Sequence, residues 1–230
     1  MTFAGSVTIP ARPHDFALVP VSTALLIIDM QNDFCHPDGF CCGNLGLDPE
    51  PVRRIIPRIA QVREWSRARG IAVFYTRESH PPDLSDLSES KRLRYETAGY
   101  PVGAPGKLGR FLIQGERGCA LLDELTPNPG EMEFDKPAQS AFIGTDLEAR
   151  LRERGIRHLL ITGVTTQCCV LATYRSANDL GFFSLLLEDC CGAFEPEAHQ
   201  AAVEVVQSEN GAVGWVATSL ELIAAGKLVD

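Results

Sequence analysis

The sequence has no basic stripe that could neutralise the phosphates of a nucleic acid. Its 230 residues include 21 Lys and Arg against 30 Asp and Glu, for a net charge of -9 at pH 7. This balance argues against a nucleic-acid partner, since such binding depends on clustered positive charge. Apolar runs near the length of about 18 residues that a membrane-spanning helix needs are also missing. We therefore expect neither a nucleic acid nor a membrane as partner.

The cysteine spacing of a zinc cluster is absent as well. The eight cysteines include no CxxC pair, and most of them are adjacent: Cys41–Cys42, Cys168–Cys169 and Cys190–Cys191. Adjacent cysteines rarely form a disulfide with each other, and the N-terminal segment lacks the charged and apolar regions of a secretion signal. These features predict a cytoplasmic protein with free thiols.

What the sequence does contain is an alternation of strand-like runs and amphipathic helical patterns. Strands are predicted at 24–29, 71–76, 132–135, 158–162 and 183–188, and helices at 52–65, 146–154, 169–180 and 219–227. The alternation predicts an α/β fold, a three-layer α/β/α sandwich with a mostly parallel central sheet. The length predicts a single domain over residues 1–230, with a long inserted loop at about 80–118.

Three reactive side chains follow strand-like runs. Asp29 ends the first run, Lys136 ends the third, and Cys169 lies in a small-residue turn after the fourth. The carboxyl ends of parallel strands meet at one edge of a sheet, so we expect these side chains to lie close together. A cysteine in the first turn of a helix is also near unpaired N–H groups that stabilise a thiolate. The pattern predicts that one cysteine of the pair is a nucleophile.

No histidine is placed where it would face Cys169 from the end of a strand. The five histidines are His14, His36, His80, His158 and His199. Lys136 would instead stabilise the thiolate, and Asp29 would accept the thiol proton and return it to a leaving amine. The alternatives are a packing role for the cysteine, a cap or turn role for the aspartate and a surface position for the lysine.

The motifs around these residues resemble one family. IIDMQNDF around Asp29, DKPAQSAF around Lys136 and GVTTQCCV around Cys169 are similar to the cysteine hydrolases of the isochorismatase-like superfamily, over about Val21 to Leu222. The tracts YTRESHPPDL, GRFLIQGE and LEDCCGA resemble amidases that cut small ureides, especially biuret hydrolase and its relatives. The resemblance implies a Rossmann-like fold, a Cys-Asp-Lys triad and a homo-oligomer, either a dimer or a tetramer.

The resemblance also implies individual roles in the turn. It makes Cys169 the nucleophile, and it builds the oxyanion hole from the N–H groups of Thr165 and Cys169. It places a cis peptide bond between Val164 and Thr165. A packing role is expected for three of the other cysteines, Cys168, Cys190 and Cys191.

Substrate binding is assigned to two residues by the same resemblance. Phe34 matches an aromatic wall near the nucleophile, and Glu209 matches a pocket position that resembles Gln in biuret hydrolases. A carboxylate there would accept ureide N–H groups and repel an anion, although a solvated helix end is the alternative for Glu209. Arg77 and the basic cluster 91–94 would instead meet a substrate carboxylate, which favours a ureidoacrylate or an N-carbamoyl amino acid.

A metal site of the kind found in related nicotinamidases is not expected. His80 matches one of their ligands in context, but the stretch Gly43-Asn-Leu-Gly-Leu-Asp-Pro49 has no histidine where the partner Asp-x-His motif should be. One ligand does not make a site. The sequence therefore predicts no metal, no cofactor and no nicotinamide substrate.

Together these features predict an amidohydrolase that cleaves a C–N amide bond of a small ureide, of the biuret or triuret type, through a Cys169 thioester and with release of ammonia. Cys169 argues against an isochorismatase, which lacks this nucleophile and cleaves a vinyl ether. A thiol redox role of Cys168–Cys169 and a non-enzymatic binding domain are the remaining alternatives.

Overall fold

The structure, a computed structural model, describes residues 5–226. Its strands and helices are, in chain order, β1 (Val7–Ile9), β2 (Phe16–Leu18), β3 (Thr23–Ile28), α1 (Asn32–Cys35), α2 (Glu50–Arg53), α3 (Ile56–Arg67), β4 (Ala72–Glu78), α4 (Glu89–Thr97), β5 (Pro105–Gly106), β6 (Gly109–Arg110), β7 (Met132–Lys136), α5 (Leu147–Glu153), β8 (His158–Val164), α6 (Leu171–Asp179), β9 (Phe183–Gly192), α7 (Pro196–Gln207), β10 (Trp215–Ala217) and α8 (Ser219–Gly226).

Six parallel strands form the central sheet in the order β10-β9-β8-β3-β4-β7. The chain starts in the middle with β3, builds outward through β4 and β7, and then returns to add β8, β9 and β10 on the other side. This is the doubly wound order of Rossmann-like folds. The winding reverses between β3 and β8, and ligands of such folds bind outside the carboxyl ends of the strands at that point.

Both faces of the sheet are covered by helices, as the sequence predicts for a three-layer sandwich. Residues alternate along β3, so Leu25 and Ile27 pack with α3 and α8, whereas Leu26 and Ile28 pack with α5, α6 and α7. All residues of β3 are buried, because the two helical layers exclude water from both faces.

Each predicted strand is present, with its ends shifted by a few residues at most, except that β9 extends four residues further. The predicted helix at 52–65 is divided into α2 and α3. The helix predicted from residue 169 begins as a π-helical turn, Thr166–Val170, and α6 follows it. The closing helix is α8, and its predicted last residue, Lys227, lies outside the described residues. The short strands β1, β2 and β10 were not predicted.

The segment predicted as a long loop contains the helix α4 and the small hairpin of β5 and β6. Ser88 caps α4, because its hydroxyl accepts a hydrogen bond from the backbone N–H of Lys91. The helix buries only Lys91, so it has no apolar stripe by which sequence periodicity could reveal it. Within residues 5–226, every helix is too short or too polar to span a bilayer.

Candidate active site

Three strands deliver the predicted triad to one buried point at the carboxyl edge of the sheet. Asp29 follows β3 directly, Lys136 is the last residue of β7, and Cys169 lies in the π-helical turn after β8. The Lys136 Nζ atom is 2.8 Å from Asp29 Oδ2, and both side chains have no exposed surface. Thr76 fixes the aspartate by donating a hydrogen bond of 2.7 Å to its Oδ1 atom. The Lys136 side chain reaches Asp29 across the end of β4, the strand that lies between β3 and β7.

A second carboxylate, which sequence reasoning missed, completes this cluster. Glu78 is the last residue of β4, and it is 1% exposed. Its Oε2 atom accepts a hydrogen bond from the Cys169 thiol at 3.4 Å and lies 3.8 Å from Lys136 Nζ. The sequence signal was available, since Glu78 ends a strand as Asp29 and Lys136 do, but the predicted strand stopped at Thr76.

The other oxygen of Glu78 binds the helix α4. Lys91 Nζ and the Tyr95 hydroxyl both lie 2.6 Å from Glu78 Oε1. The buried Lys91 ammonium also donates to the carbonyl of Pro137 at 2.7 Å and contacts His80 Nε2 at 2.8 Å. One carboxylate thus connects the inserted segment to the nucleophile.

His80 has both ring nitrogens engaged by protein groups. Because the Lys91 ammonium can only donate, Nε2 accepts, and Nδ1 carries the proton that it donates to Asp86 Oδ1 at 2.6 Å. Burial and the Lys91 charge lower the pKa of His80, which is consistent with a neutral ring. The imidazole therefore orients Lys91, and its nitrogens do not face Cys169.

The two carboxylates of the cluster have pKa values shifted in opposite directions. Burial, assisted by the charge of Glu78, raises the pKa of Asp29 although Lys136 lowers it. Burial alone would also raise the pKa of Glu78, but Lys136, Lys91 and Tyr95 together lower it. Burial would lower the pKa of Lys136, yet the surrounding acidic groups, with Asp29 first, raise it. Lys136 is therefore a fixed cation, and Glu78 is the more firmly ionised acid.

The Cys169 thiol is protonated in this arrangement. Its pKa is raised well above the usual value by the contact with the Cys168 thiol, by burial, and by the charges of Asp29 and Glu78. Lys136 acts in the opposite direction, as the sequence analysis expects, but it does not prevail. The contact with Cys168 and burial outweigh the effect of Lys136 on this pKa, and the second carboxylate, Glu78, adds a smaller contribution in the same direction. A nucleophilic role of Cys169 therefore requires that a neighbouring group first take its proton.

A cavity of about 280 Å³ opens onto the nucleophile. Aromatic and amide side chains form much of its wall, together with both cysteines of the turn and two glutamates, Glu78 and Glu195. Within residues 5–226, no Lys, Arg or His belongs to the lining. Its residues are Phe34, Cys41, Glu78, Tyr95, Ala98, Tyr100, Phe111, Gln139, Val164, Thr165, Gln167, Cys168, Cys169, Phe194 and Glu195.

The turn that carries the nucleophile borders this cavity with its backbone. The peptide bond between Val164 and Thr165 is cis. The N–H groups of Cys168 and Val170 donate to the Thr165 carbonyl at 3.0 and 3.3 Å. These two hydrogen bonds close the turn on either side of Cys169. An oxyanion hole at the N–H groups of Thr165 and Cys169 remains a prediction, and its two residues both line the cavity.

The two residues predicted to bind substrate have different positions. Phe34 lies in the cavity wall, where its ring packs edge-on against Phe111. Glu209 is exposed in a 3-10 turn, Glu209–Gly211, and it is not part of the cavity lining. The pocket prediction for Glu209 is therefore corrected: α7 ends at Gln207, and the turn that follows directs the chain into solvent. The carboxylates at the cavity are Glu78 and Glu195.

The polar residues of the MQND motif hold the inserted segment against the site. The Gln31 side chain receives the N–H of Glu78 at 2.8 Å and donates to the Glu78 and Cys119 carbonyls. The Asn32 amide donates to the Arg117 carbonyl at 3.0 Å. Asp33 accepts the N–H of Leu112 at 2.8 Å, and burial raises its pKa to about 6. These side chains have a structural role that the motif alone does not reveal.

Four further basic and thiol side chains were singled out in the sequence. Three of them, Arg77, Cys190 and Cys191, lie outside the cavity lining, and Cys168 belongs to it. Arg77 pairs with Glu133 and Asp135 on β7 rather than with the cavity. Cys190 and Cys191 are buried on opposite faces of the sheet, in agreement with packing. Cys168, expected to pack, lines the cavity instead.

One group of side chains has the composition of a metal site. Ligand atoms of Asp29, Glu78 and Cys169 lie within 4.8 Å of one another. The Lys136 ammonium is 2.8 Å from the first carboxylate and 3.8 Å from the second, so these oxygens already face a buried cation. A divalent ion would have to share their charge with Lys136, so the donor set does not fit a resident metal.

The fold and the buried cluster of charged groups together define a class of protein. It is a doubly wound α/β protein with a cysteine, a lysine and two carboxylates buried at the carboxyl edge of its sheet. The isochorismatase domain matches residues 23–219 of the sequence. The chain therefore belongs to the isochorismatase family, as its motifs predict.

Relatives and solved structures agree with this assignment. The ureidoacrylate amidohydrolase RutB of Caulobacter segnis is 33% identical over 230 residues, which cover 94% of this chain and 91% of the relative. The protein of the same name from Rhizobium rhizogenes is 32% identical over 216 residues, with 93% and 87% covered. The crystal structure of an isochorismatase family protein from Desulfovibrio vulgaris is similar with a TM-score of 0.74 and 27% identity, over 90% of this chain and 98% of that chain.

Proposed function

We propose that this protein is an amidohydrolase that cleaves the C–N bond of a small ureide through a thioester on Cys169. The observation that carries the proposal is the buried contact of Asp29 with Lys136, next to a cysteine that lines a cavity of about 280 Å³. A cavity of this size fits a small molecule, and an acid with a raised pKa can both take and return a proton.

The reaction has two steps in this proposal. Asp29 takes the thiol proton, sulfur attacks the carbonyl carbon, and the oxyanion is held by the N–H groups of Thr165 and Cys169. Asp29 then returns the proton to the leaving nitrogen, and ammonia departs as the C–N bond breaks. In the second step Asp29 accepts a proton from water, the resulting hydroxide attacks the thioester, and Cys169 leaves and is protonated again. Lys136 keeps the aspartate in place.

Ureidoacrylate is the first substrate to test. Relatives that cover more than nine-tenths of this chain are named ureidoacrylate amidohydrolases, and this substrate was the alternative in the sequence analysis. A neutral ureide such as biuret or triuret is the second candidate, and the cavity favours it. An anionic substrate would meet Glu78 and Glu195, without a Lys, Arg or His in the lining among the described residues.

The test is ammonia release from ureidoacrylate, biuret, triuret, N-carbamoylsarcosine and nicotinamide. We expect turnover of at least one ureide by the wild type and a loss of about a thousandfold or more in Cys169→Ala. Cys168→Ala is the matched control, since it removes the neighbouring thiol of the same turn, and it should retain activity. Equal activity of the Cys169→Ala variant and the wild type would refute the thioester mechanism.

A further inference from the structure

Among residues 5–226, Glu78 is the buried acid beside Cys169 to which the mechanism above gives no part. Its Oε1 atom is fully engaged by Lys91 and Tyr95, each at 2.6 Å. Its Oε2 atom accepts a hydrogen bond from the Cys169 thiol at 3.4 Å. Glu78 is also a residue of the cavity wall. One oxygen thus has structural partners, and the other contacts the sulfur that the proposed mechanism brings to the substrate carbonyl.

We infer that Glu78 is a specificity-determining residue that accepts an N–H from the substrate, on the side of the carbonyl that does not leave. A ureide has nitrogen on both sides of the attacked carbonyl, whereas an ordinary carboxamide has nitrogen on one side only. The inference rests on the proposed function and names its substrate requirement: an N–H next to the carbonyl in addition to the leaving amine.

The contacts of Cys169 explain how Glu78 becomes available. In the free protein the S–H group occupies Oε2. When the thiol proton passes to Asp29 and sulfur forms its bond to the carbonyl carbon, that hydrogen bond disappears. Oε2 then keeps the Lys136 ammonium at 3.8 Å, which is beyond hydrogen-bond distance, so a new donor in place of the thiol is favourable. The retained N–H of a ureide is such a donor, and the CH₂ group of a carboxamide is not.

The surroundings keep Glu78 charged for this task. Lys91 is 6% exposed and Glu78 is 1% exposed, so their ion pair is shielded from water. Lys136 lies 3.8 Å from Oε2 on the other side. A fixed anion binds N–H groups and rejects carboxylate or ester oxygens at the same position.

A purely structural role of Glu78 makes a different prediction. If Glu78 only anchors α4, its removal should weaken all substrates alike. Tyr95→Phe separates the two roles, because it removes a donor to Oε1 and leaves Oε2 untouched. This variant should lower the thermal stability and, because Tyr95 also lines the cavity, lower kcat/KM for a ureide and its isostere by the same factor, so that the ratio between them stays unchanged.

The experiment compares each ureide with its CH₂ isostere: biuret with malonamide, and ureidoacrylate with the monoamide of glutaconic acid. The quantity measured is the ratio of kcat/KM for the ureide to kcat/KM for the isostere. In Glu78→Gln we expect this ratio to fall by about tenfold to a hundredfold, the usual effect of a charged hydrogen bond. Glu133→Gln, the same substitution on the neighbouring strand β7, should leave the ratio unchanged.

The outcomes separate the inference from the proposed function. If the wild type releases no ammonia from any ureide, the proposed function fails. If the wild type hydrolyses ureides but Glu78→Gln lowers both members of a pair equally, the function stands and the inference is wrong. If Glu78→Gln does not fold, Glu78→Asp should lower the ratio as well, because the shorter side chain keeps the negative charge but moves it away from the substrate N–H. An unchanged ratio in that folded variant would also overturn the inference.

Discussion

At the scale of single residues, the site depends on two carboxylates that differ in their neighbours. Asp29 has one cation, Lys136, whereas Glu78 has Lys91 in direct contact and Lys136 nearby. The environment therefore raises the pKa of Asp29 and lowers that of Glu78. In the proposed mechanism this divergence suits the first acid to proton transfer and the second to a permanent charge.

A third buried acid makes a pH-dependent contribution to stability. Burial raises the folded-state pKa of Asp33 to about 6. Protonated Asp33 therefore stabilises the folded state fully below about pH 4, and this stabilisation is lost as the pH rises through about 6. The unfolding free energy of the wild type relative to Asp33→Asn should therefore fall by up to about 3 kcal/mol between pH 4 and pH 7. Urea denaturation of both proteins measures this, and a constant difference across the range would contradict it.

Residue by residue, the sequence reveals those site members that follow an obvious strand. Asp29, Lys136 and Cys169 each follow an apolar run, and the structure brings Asp29 and Lys136 into contact and Cys169 beside them. Glu78 and Lys91 were missed by this reasoning. The first is reached only by extending β4 past Thr76, and the second is a charged residue whose burial depends on a partner 13 positions earlier in the chain.

At the scale of elements, one glycine permits the close approach of the two strands that carry Asp29 and the nucleophile's turn. Gly163 of β8 pairs with Ile28 of β3 and has a φ of 118°. A Cβ atom there would overlap the backbone carbonyl of Ile28. Gly163 therefore allows β8 to lie against β3 just before the Val164–Thr165 peptide.

Gly163→Ala tests this packing against a matched variant. Gly181 also has a positive φ, of 81°, but no heavy atom of the described residues lies within 4 Å of the position that an alanine methyl group would take there. Gly181→Ala should cost about 1 kcal/mol of unfolding free energy, the backbone penalty alone. Gly163→Ala should cost about 3 kcal/mol or more and abolish activity, because the strands must separate. Equal losses in the two variants, measured by denaturation, would exclude the overlap as the cause.

Elements with a clear apolar pattern were predictable, and those held by polar contacts were not. The strands of the central sheet are buried on both faces, so their sequences are nearly continuous apolar runs. The helix α4 is attached through polar contacts of Lys91 and Tyr95, which bind Glu78, and of Lys91 with His80 and the Pro137 carbonyl. Such an attachment leaves no periodic signal, because a few polar contacts replace a whole hydrophobic stripe.

At the scale of the whole molecule, the doubly wound topology decides which side chains meet. Asp29 and Cys169 follow the two strands at which the winding reverses, β3 and β8, and Lys136 reaches them from the edge strand β7. The family and the sandwich architecture follow from the motifs and the alternation of elements. The homo-oligomer and the single domain over residues 1–230 stay predictions.

The buried cluster of Lys136, Asp29 and Glu78 predicts activity without a metal. The carboxylates that would bind a divalent ion already face Lys136 at 2.8 and 3.8 Å. We therefore expect full ammonia release after treatment with EDTA, and less than one equivalent of transition metal per chain in elemental analysis. Activity that disappears with EDTA and returns with added zinc or manganese would contradict this prediction.

The protonated state of Cys169 has a consequence for the chemical lifetime of the protein. Peroxides and electrophiles react with thiolates, whereas Cys169 is a residue with 4% exposure whose thiol pKa is raised by the Cys168 contact and by burial. In the absence of substrate it is therefore a poor target for oxidation. In the proposed mechanism Cys169 loses its proton only while a carbonyl occupies the cavity, so we expect its thiol in the free protein to resist oxidation to the irreversible sulfinic and sulfonic acids.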